Sequence, residues 1–315
     1  MKIIHCADLH LDSRMESSLT REQAAERRSE LLDTFVRMAD YADEQKVRAV
    51  IIAGDLFDTP AGTGVRLKRR VTDRMKASPD IDFLYLKGNH DKAGISGDIP
   101  ENLKLFDKEW TYYEYENVTV AGCETNTGDT GTLASCLSLK TDRLNIVVMH
   151  GQCTDYEKKD SAQTISINAM QGKNIDYLAL GHIHSFGTGR IDKRGIFCYS
   201  GCLEGRGFDE CGEKGFVMLD ISDGGIRPEF IAFAMRTLHD VEVKLSGHEE
   251  ENNIKELTAA ALEGIPAKDM VKITYTGEVD EDTDIDTAYI AKCFSGRFYF
   301  LKVCDHTELS IDYSE

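Results

Sequence analysis

No stretch of the 315 residues approaches the roughly 20 consecutive apolar positions that a helical membrane span requires. The amino terminus, Met1 to Asp8, turns polar far too early for a signal peptide. The nine cysteines are odd in number and no two are spaced C-x-x-C, which argues against a zinc ribbon or a thioredoxin-like motif. Dispersed thiols in a chain of this length fit a reducing compartment, where most serve as small buried apolar residues. The expectation is a cytoplasmic protein with no membrane association. Internal repeats and low-complexity segments are missing as well. Positive charge is in deficit: 37 Lys and Arg stand against 55 Asp and Glu, a net charge of −18. That balance argues against a protein that coats DNA or anionic membrane through its overall field, but it does not exclude a local phosphate site.

What is present is the mix of a globular protein, with 41% hydrophobic and 29% charged residues and enough chain for one large domain or two ordinary ones. Short β-branched runs alternate with helical patterns through the first half. Ile3 to Ala7, Ala49 to Ala53 and Phe83 to Leu86 read as buried strands. Leu31, Phe35, Met38 and Ala42 recur at helical spacing between the first two, and Val65 to Met75 forms a basic helix before the third. This βαβαβ order favours parallel pairing and a layered α/β architecture. Trp110 to Ala121 and Ile191 to Phe233 look more like hairpins. Between them lie strands at Ile146 to Met149 and Tyr177 to Leu180, with a helical pattern near Ile165 to Met170. Two packed sheets with helices outside accommodate both halves, an α/β class with α+β features.

From about Arg236 the chain begins again, with a pattern of strand, helix, strand, helix and strand ending near Val303. The expected division is 1–235 and 236–315. The second part carries eight basic and 18 acidic side chains, so more than half of the net negative charge lies there.

Polar residues fall at the ends of the apolar runs. Five runs end in motifs of metal-ligand type: Asp8-Leu9-His10, Gly54-Asp55-Leu56-Phe57-Asp58, Gly88-Asn89-His90-Asp91, His150-Gly151 and Gly181-His182-Ile183-His184. Five of the nine histidines sit in them. Loops beyond the carboxyl ends of strands in open α/β sheets gather into one crevice, so the motifs are expected to converge. Residues two apart on an extended segment project to the same side, which lets Asp8 act with His10 and His182 with His184. Carboxylate and imidazole donors without thiolate suit manganese, iron or zinc, and their number exceeds the needs of one ion. His5, His239, His248 and His306 lack such context and read as ordinary core or surface residues. Asp12 and Asp91 read as turn supports near the ligands.

In order and without a missing ligand, the five motifs resemble those of the calcineurin-like metallophosphoesterase superfamily: D-x-H, G-D, G-N-H-D/E, H and G-H-x-H. The resemblance implies a four-layer sandwich and two divalent ions, manganese foremost with iron or zinc as alternatives. It places Asp8, His10 and His184 on one ion, Asn89, His150 and His182 on the other, and Asp55 between them. His90 would face the leaving group, and Asp58, three residues after the bridging aspartate, would orient it. Two carboxylates against two divalent ions leave such a site at about +2 before any hydroxide is counted.

The phosphoprotein phosphatase branch normally carries Arg-Gly where this chain has Thr59-Pro60. Gly-Asp-Leu-Phe-Asp-Thr at 54–59 and the opening run from Ile3 to Asp12 instead resemble the SbcD family of DNA double-strand-break repair nucleases. Tyr199-Ser200-Gly201-Cys202-Leu203-Glu204, followed by Glu213-Lys214-Gly215-Phe216, is similar to a segment those proteins carry after the last metal motif. That resemblance implies a DNA exonuclease with endonuclease activity, a small α/β capping domain, a homodimer and a coiled-coil ATPase partner of the SbcC type. This chain stops at Glu315, soon after its last strand, where relatives continue into the helical segment that docks the ATPase. A small-molecule or cyclic-nucleotide phosphodiesterase and a non-catalytic DNA-end-binding subunit are the alternatives. Arg66, Lys68, Arg69, Arg70, Arg74 and Lys76 form one basic stretch, read either as a solvated helix face or as a contact to the phosphate backbone.

Overall fold

The computed structural model describes residues 1–15, 19–58, 64–91, 95, 97–124, 130–154, 164–246, 251–280 and 285–309. It divides into two compact units, Met1–Glu204 with Lys214–Met235, and Gly205–Glu213 with Arg236–Glu315.

The first unit opens with β1 (Lys2–Cys6), α1 (Arg21–Glu44), β2 (Ala49–Ala53), α2 (Val65–Lys76), β3 (Asp82–Leu86) and β4 (Leu103–Leu105). There follow β5 (Thr111–Tyr115), β6 (Val118–Gly122), α3 (Thr130–Cys136), β7 (Leu144–His150), β8 (Gln152–Thr154) and β9 (Thr164–Ser166). It closes with α4 (Ile167–Met170), β10 (Tyr177–Gly181), β11 (Gly187–Arg190), β12 (Ile196–Tyr199), β13 (Gly215–Ser222) and β14 (Gly225–Ala232). Two six-stranded sheets result, ordered β14-β13-β1-β2-β3-β4 and β11-β12-β10-β7-β6-β5. The helical pattern near Ile165 to Met170 is realised only as α4, because Thr164–Ser166 pairs with β8 as β9.

The alternation of each strand sorts its side chains between layers. Ile3, Ala7, Ile51, Leu84 and Leu86 meet Val120, Ile146, Val148 and Ala179 of the other sheet in a core between the two. The opposite faces, Ile4, Cys6, Val50, Ile52 and Phe83, pack on Leu31, Phe35 and Met38 of α1 and on Val71 and Met75 of α2. Val147, Met149, Leu178 and Leu180 cover the far side with Ala134, Leu137 and Met170. Each fully buried Leu, Ile, Val or Phe contributes about 1.5–3 kcal/mol, so three such cores fix the layers firmly. Helix α1 starts where Thr20 and Gln23 form a reciprocal capping box.

His5 occupies a position in the inter-sheet core, fully buried, with Nδ1 2.8 Å from the hydroxyl of Tyr177. Burial pushes its imidazole down to about 3.

β1, β2 and β3 run parallel, so the segments that follow them leave the sheet at one edge. β7 and β10 are likewise parallel and release His150 and Gly181–His184 together. His150 Nδ1 lies 3.0 Å from the carbonyl of Ala53, which joins the carboxyl ends of the two sheets directly.

The second unit contains β15 (Leu238–Ser246), α5 (Glu251–Ala261), β16 (Met270–Val279), α6 (Thr287–Cys293), β17 (Phe300–Asp305) and β18 (Glu308–Leu309). All its strand pairs are parallel, with β16 between β15 and β17 and also paired to β18. Leu245, Ile254, Leu262, Ile273, Tyr275 and Ile290 fill its core. Gly205–Glu213 belongs to this unit, whereas the sequence places it before the boundary at 235. Phe208 packs on Phe300 with ring centroids 6.1 Å apart, and Gly212 bridges to Leu238. So short an excursion leaves no periodicity to read.

Candidate metal centre

The five motifs meet through their backbones first. Asp8, His10 and Leu11 donate their N–H groups to the carbonyls of Gly54, Asp55 and Leu56, each at 3.0 Å. The second loop is held from beneath by Asp91, whose carboxylate accepts from Leu56 N at 3.1 Å, Phe57 N at 2.8 Å and Gly88 N at 3.1 Å. Asp12 accepts from Asp58 N at 2.5 Å. Asp8 takes the His182 N–H on both carboxylate oxygens at 3.0 Å, and Asp55 takes the His90 N–H at 2.9 Å. Burial raises the Asp91 carboxyl to about 6 even against the N–H donors of Gly88 and Phe57.

These turns demand unusual backbone. Asp8, His10, Asp55 and His182 all have positive φ, at 54°, 44°, 50° and 97°. Such conformations are costly for residues other than glycine and persist where surrounding structure over-determines them, which is common at functional sites. Gly54 (φ 96°) leaves room for the neighbouring imidazole: a Cβ there would lie 2.1 Å from His150 Nδ1. A Cβ at Gly88 would lie 2.1 Å from an Asp55 carboxylate oxygen.

The side chains then converge. Ligand atoms of Asp8, His10 and His184 lie within 4.8 Å of one another, as do those of Asp8, Asp55 and His150. His10 Nε2 is 3.4 Å from His184 Nε2. His150 Nε2 is 2.9 Å from Asn89 Oδ1 and 3.3 Å from Asp55 Oδ2, and the His182 ring stands edge-on to His150 at 5.4 Å. Asp55 Oδ2 also lies 3.9 Å from His10 Nε2, so this carboxylate is shared by both groups. A third set joins His10, Asp58 and His90: Asp58 Oδ1 lies 3.2 Å from His90 Nδ1 and 3.3 Å from His10 Nδ1.

The donor set fits divalent cations. Asp8 and Asp55 are almost wholly buried, and their ion-pair partners among the described residues are imidazoles alone. Buried carboxylates without a strong cation are costly, and two imidazole Nε2 atoms at 3.4 Å repel unless a proton or a metal lies between their lone pairs. Burial works to raise the Asp55 carboxyl, but the hydrogen bond and field of His150, with His10 and the His90 N–H, carry it down to about 2. Burial works to lower His150, yet Asp55 and Asp8 raise it to about 9. Burial and the neighbouring His150 lower His182.

Residues 1–186 match the family model of the calcineurin-like phosphoesterases. The chain belongs to that family. The family binds a dinuclear metal centre, which the clustered Asp and His side chains described above fit. It is 27% identical over 242 residues to the DNA double-strand break repair protein Mre11 of Saccharolobus solfataricus, covering 70% of this chain and 61% of that protein. The uncharacterized metallophosphoesterase YhaO of Bacillus subtilis is 26% identical over 258 residues, covering 76% and 61%. The chain thus spans about three fifths of the length of both. A dimetal phosphatase from Danio rerio is similar in structure with a TM-score of 0.44 at 10% identity, covering 74% of this chain and 99% of that one.

The basic residues of α2 stand outside this convergence. Arg74 pairs with Asp40 and Asp43, both at 2.8 Å, Arg70 with Asp33 at 3.9 Å, and Arg69 with Asp73 at 3.6 Å. Lys68 lies over the Phe57 ring at 5.9 Å, and Arg66 is exposed. Sequence reasoning passed over a different basic group. A cavity of about 520 Å³ is lined by Asp12, Arg14, Leu19, Arg21 and Arg28, and Asp12 is the residue that receives the Asp58 N–H. The available signal was the spacing of Arg21 and Arg28, seven apart on one face of α1, with Arg14 four residues after His10.

Proposed function

We propose that this phosphoesterase is a DNA nuclease of the SbcD and Mre11 type, a manganese-dependent exonuclease with endonucleolytic cleavage as a second mode. The observation that carries the reading is the convergence of seven ligand-type side chains with His90 and Asp58 at one edge of the sandwich. In this reading Asp8, His10 and His184 hold one ion, Asn89, His150 and His182 the other, and Asp55 serves both. Two bound divalent ions supply a nucleophilic water at neutral pH and draw charge from the phosphoryl oxygens.

The remaining work falls to the chain. His150 donates Nδ1–H to Ala53 O, which fixes its tautomer and leaves Nε2 as the ligand atom. The His90 side chain is 43% exposed and open to substrate. Its Nδ1 lies 3.2 Å from Asp58 Oδ1, which orients the ring to give a proton to the departing oxygen. DNA is favoured over small esters by the Mre11 relatives, whose name records double-strand break repair. The arginine-lined cavity next to the Asp58 loop supports it further, with charge suited to a neighbouring phosphate of the same strand.

Purified protein with manganese, assayed on labelled duplex and single-stranded DNA beside bis-p-nitrophenyl phosphate and cyclic nucleotides, tests the proposal. Cleavage of polynucleotide that is lost in His90→Ala supports a nuclease. Turnover of small esters alone establishes the small-molecule phosphodiesterase, and DNA binding without turnover establishes the non-catalytic end-binding subunit.

A further inference from the structure

Lys214 is the one buried lysine among the described residues, at 3% exposure. An ammonium is costly to bury unless it is hydrogen-bonded, so its partner is informative. Lys214 Nζ donates to the carbonyl oxygen of His184 at 2.7 Å. The same carbonyl accepts from Cys202 N at 3.4 Å and from Cys202 Sγ at 3.4 Å. The next residue along, Gly215, donates its N–H to Cys202 O at 3.2 Å, so the segment bearing Lys214 and the Cys202 turn are themselves tied together. Gly201 (φ 73°) sits so close to this turn that a Cβ there would lie 3.0–3.2 Å from Phe186 N, Ser185 C and His184 O.

The other end of the same segment grips a different loop. The Tyr199 hydroxyl donates to Gly151 O at 2.9 Å and accepts from Cys153 N at 2.7 Å, clamping the turn that follows His150. Tyr199 is itself buried. One short stretch, Tyr199–Cys202 with Lys214, therefore spans the backbones of His150 and His184, which the reading above assigns to different ions.

We propose that Lys214 and Tyr199 are positioning residues that hold the two halves of the dinuclear centre in register, Lys214 through the His184 carbonyl and Tyr199 through the His150–Gly151 turn. This gives a physical role to a motif that carries no ligand of its own. It rests on the two-ion reading of the site.

The test is manganese titration of metal-free full-length protein by calorimetry, with electron paramagnetic resonance of the loaded site. The wild type binds two ions with a spin-coupled signal. Lys214→Met weakens one ion by roughly 10–100-fold and leaves the other within about threefold, the usual scale for losing a group that orients a ligand. Lys214→Arg, which keeps a donor, recovers a substantial part of the loss. Tyr199→Phe, a smaller change that stands in should Lys214→Met not fold, weakens an ion while its melting transition stays cooperative. Two ions bound with wild-type affinity and an unchanged coupled signal in the folded variants overturn the positioning role. Equal weakening of both ions together with a fall in melting temperature also overturns it, since general loosening then accounts for the effect. A wild type that binds fewer than two ions defeats the two-ion reading itself.

Discussion

Asp58 sits between two imidazoles, 3.2 Å from His90 Nδ1 and 3.3 Å from His10 Nδ1, and its own N–H is fixed by Asp12. An amide at this position keeps the size but loses the carboxylate charge beside His90 Nδ1. Asp58→Asn is therefore expected to lower kcat about 10–100-fold with little change in KM, and to shift the alkaline limb of the pH–rate profile, where a general acid loses its proton. A turnover and profile equal to wild type would remove Asp58 from the mechanism. At this scale the sequence was most legible, because each motif packs donor and turn residue into two to five positions. Lys214 and Tyr199 were not legible in this way. Their partners lie far along the chain, as with Lys214 and His184, and no local pattern records that.

Elements deliver those residues because parallel strands end at one edge, and two glycines let the loops close. Gly88→Ala would drive a methyl group into Asp55, whose carboxylate and backbone nitrogen lie 2.1 and 2.6 Å from the new Cβ. Its manganese affinity is expected to fall at least tenfold. Gly64→Ala, before α2, has no atom within 4 Å and should leave affinity unchanged. Comparing the two by calorimetry checks that close packing, rather than glycine content, sets the site. The strand β1 makes a separate prediction through His5. Its folded imidazole is depressed to about 3, so between about 6.5 and 3 the unfolded chain binds the extra proton. Stability contributed by the neutral His5 is full above about 6.5 and is lost as pH falls through that window. Urea midpoints of His5→Gln should accordingly depend less on pH between 6.5 and 4 than those of the wild type. Equal slopes would show that His5 titrates normally. The buried strands followed from short β-branched apolar runs and α1 from a period-3.6 pattern, whereas β8 and β9 are too short to show either.

On the scale of the whole chain, the charge of −18 and the proposed polynucleotide substrate are reconciled by location. Much of the positive charge of α2 is spent on Asp33, Asp40, Asp43 and Asp73, while Arg14, Arg21 and Arg28 line a cavity of their own. Reversing those three arginines to glutamate should weaken duplex binding and reduce the slope of log affinity against log salt by about 2–3, close to 0.9 for each phosphate no longer neutralised. Arg74→Glu should instead lower the melting temperature by breaking the link from α2 to α1, with the slope little changed. A slope unaffected by the triple reversal would exclude the cavity as a phosphate-binding surface. The central claim is that two ions in one site cleave DNA, and it is tested most directly by following duplex cleavage as manganese is added to metal-free protein. The account predicts negligible cleavage at one equivalent and activity that rises as the second ion binds, absent in His90→Ala. Full cleavage in excess chelator, or two bound ions with no polynucleotide cleaved, would contradict it.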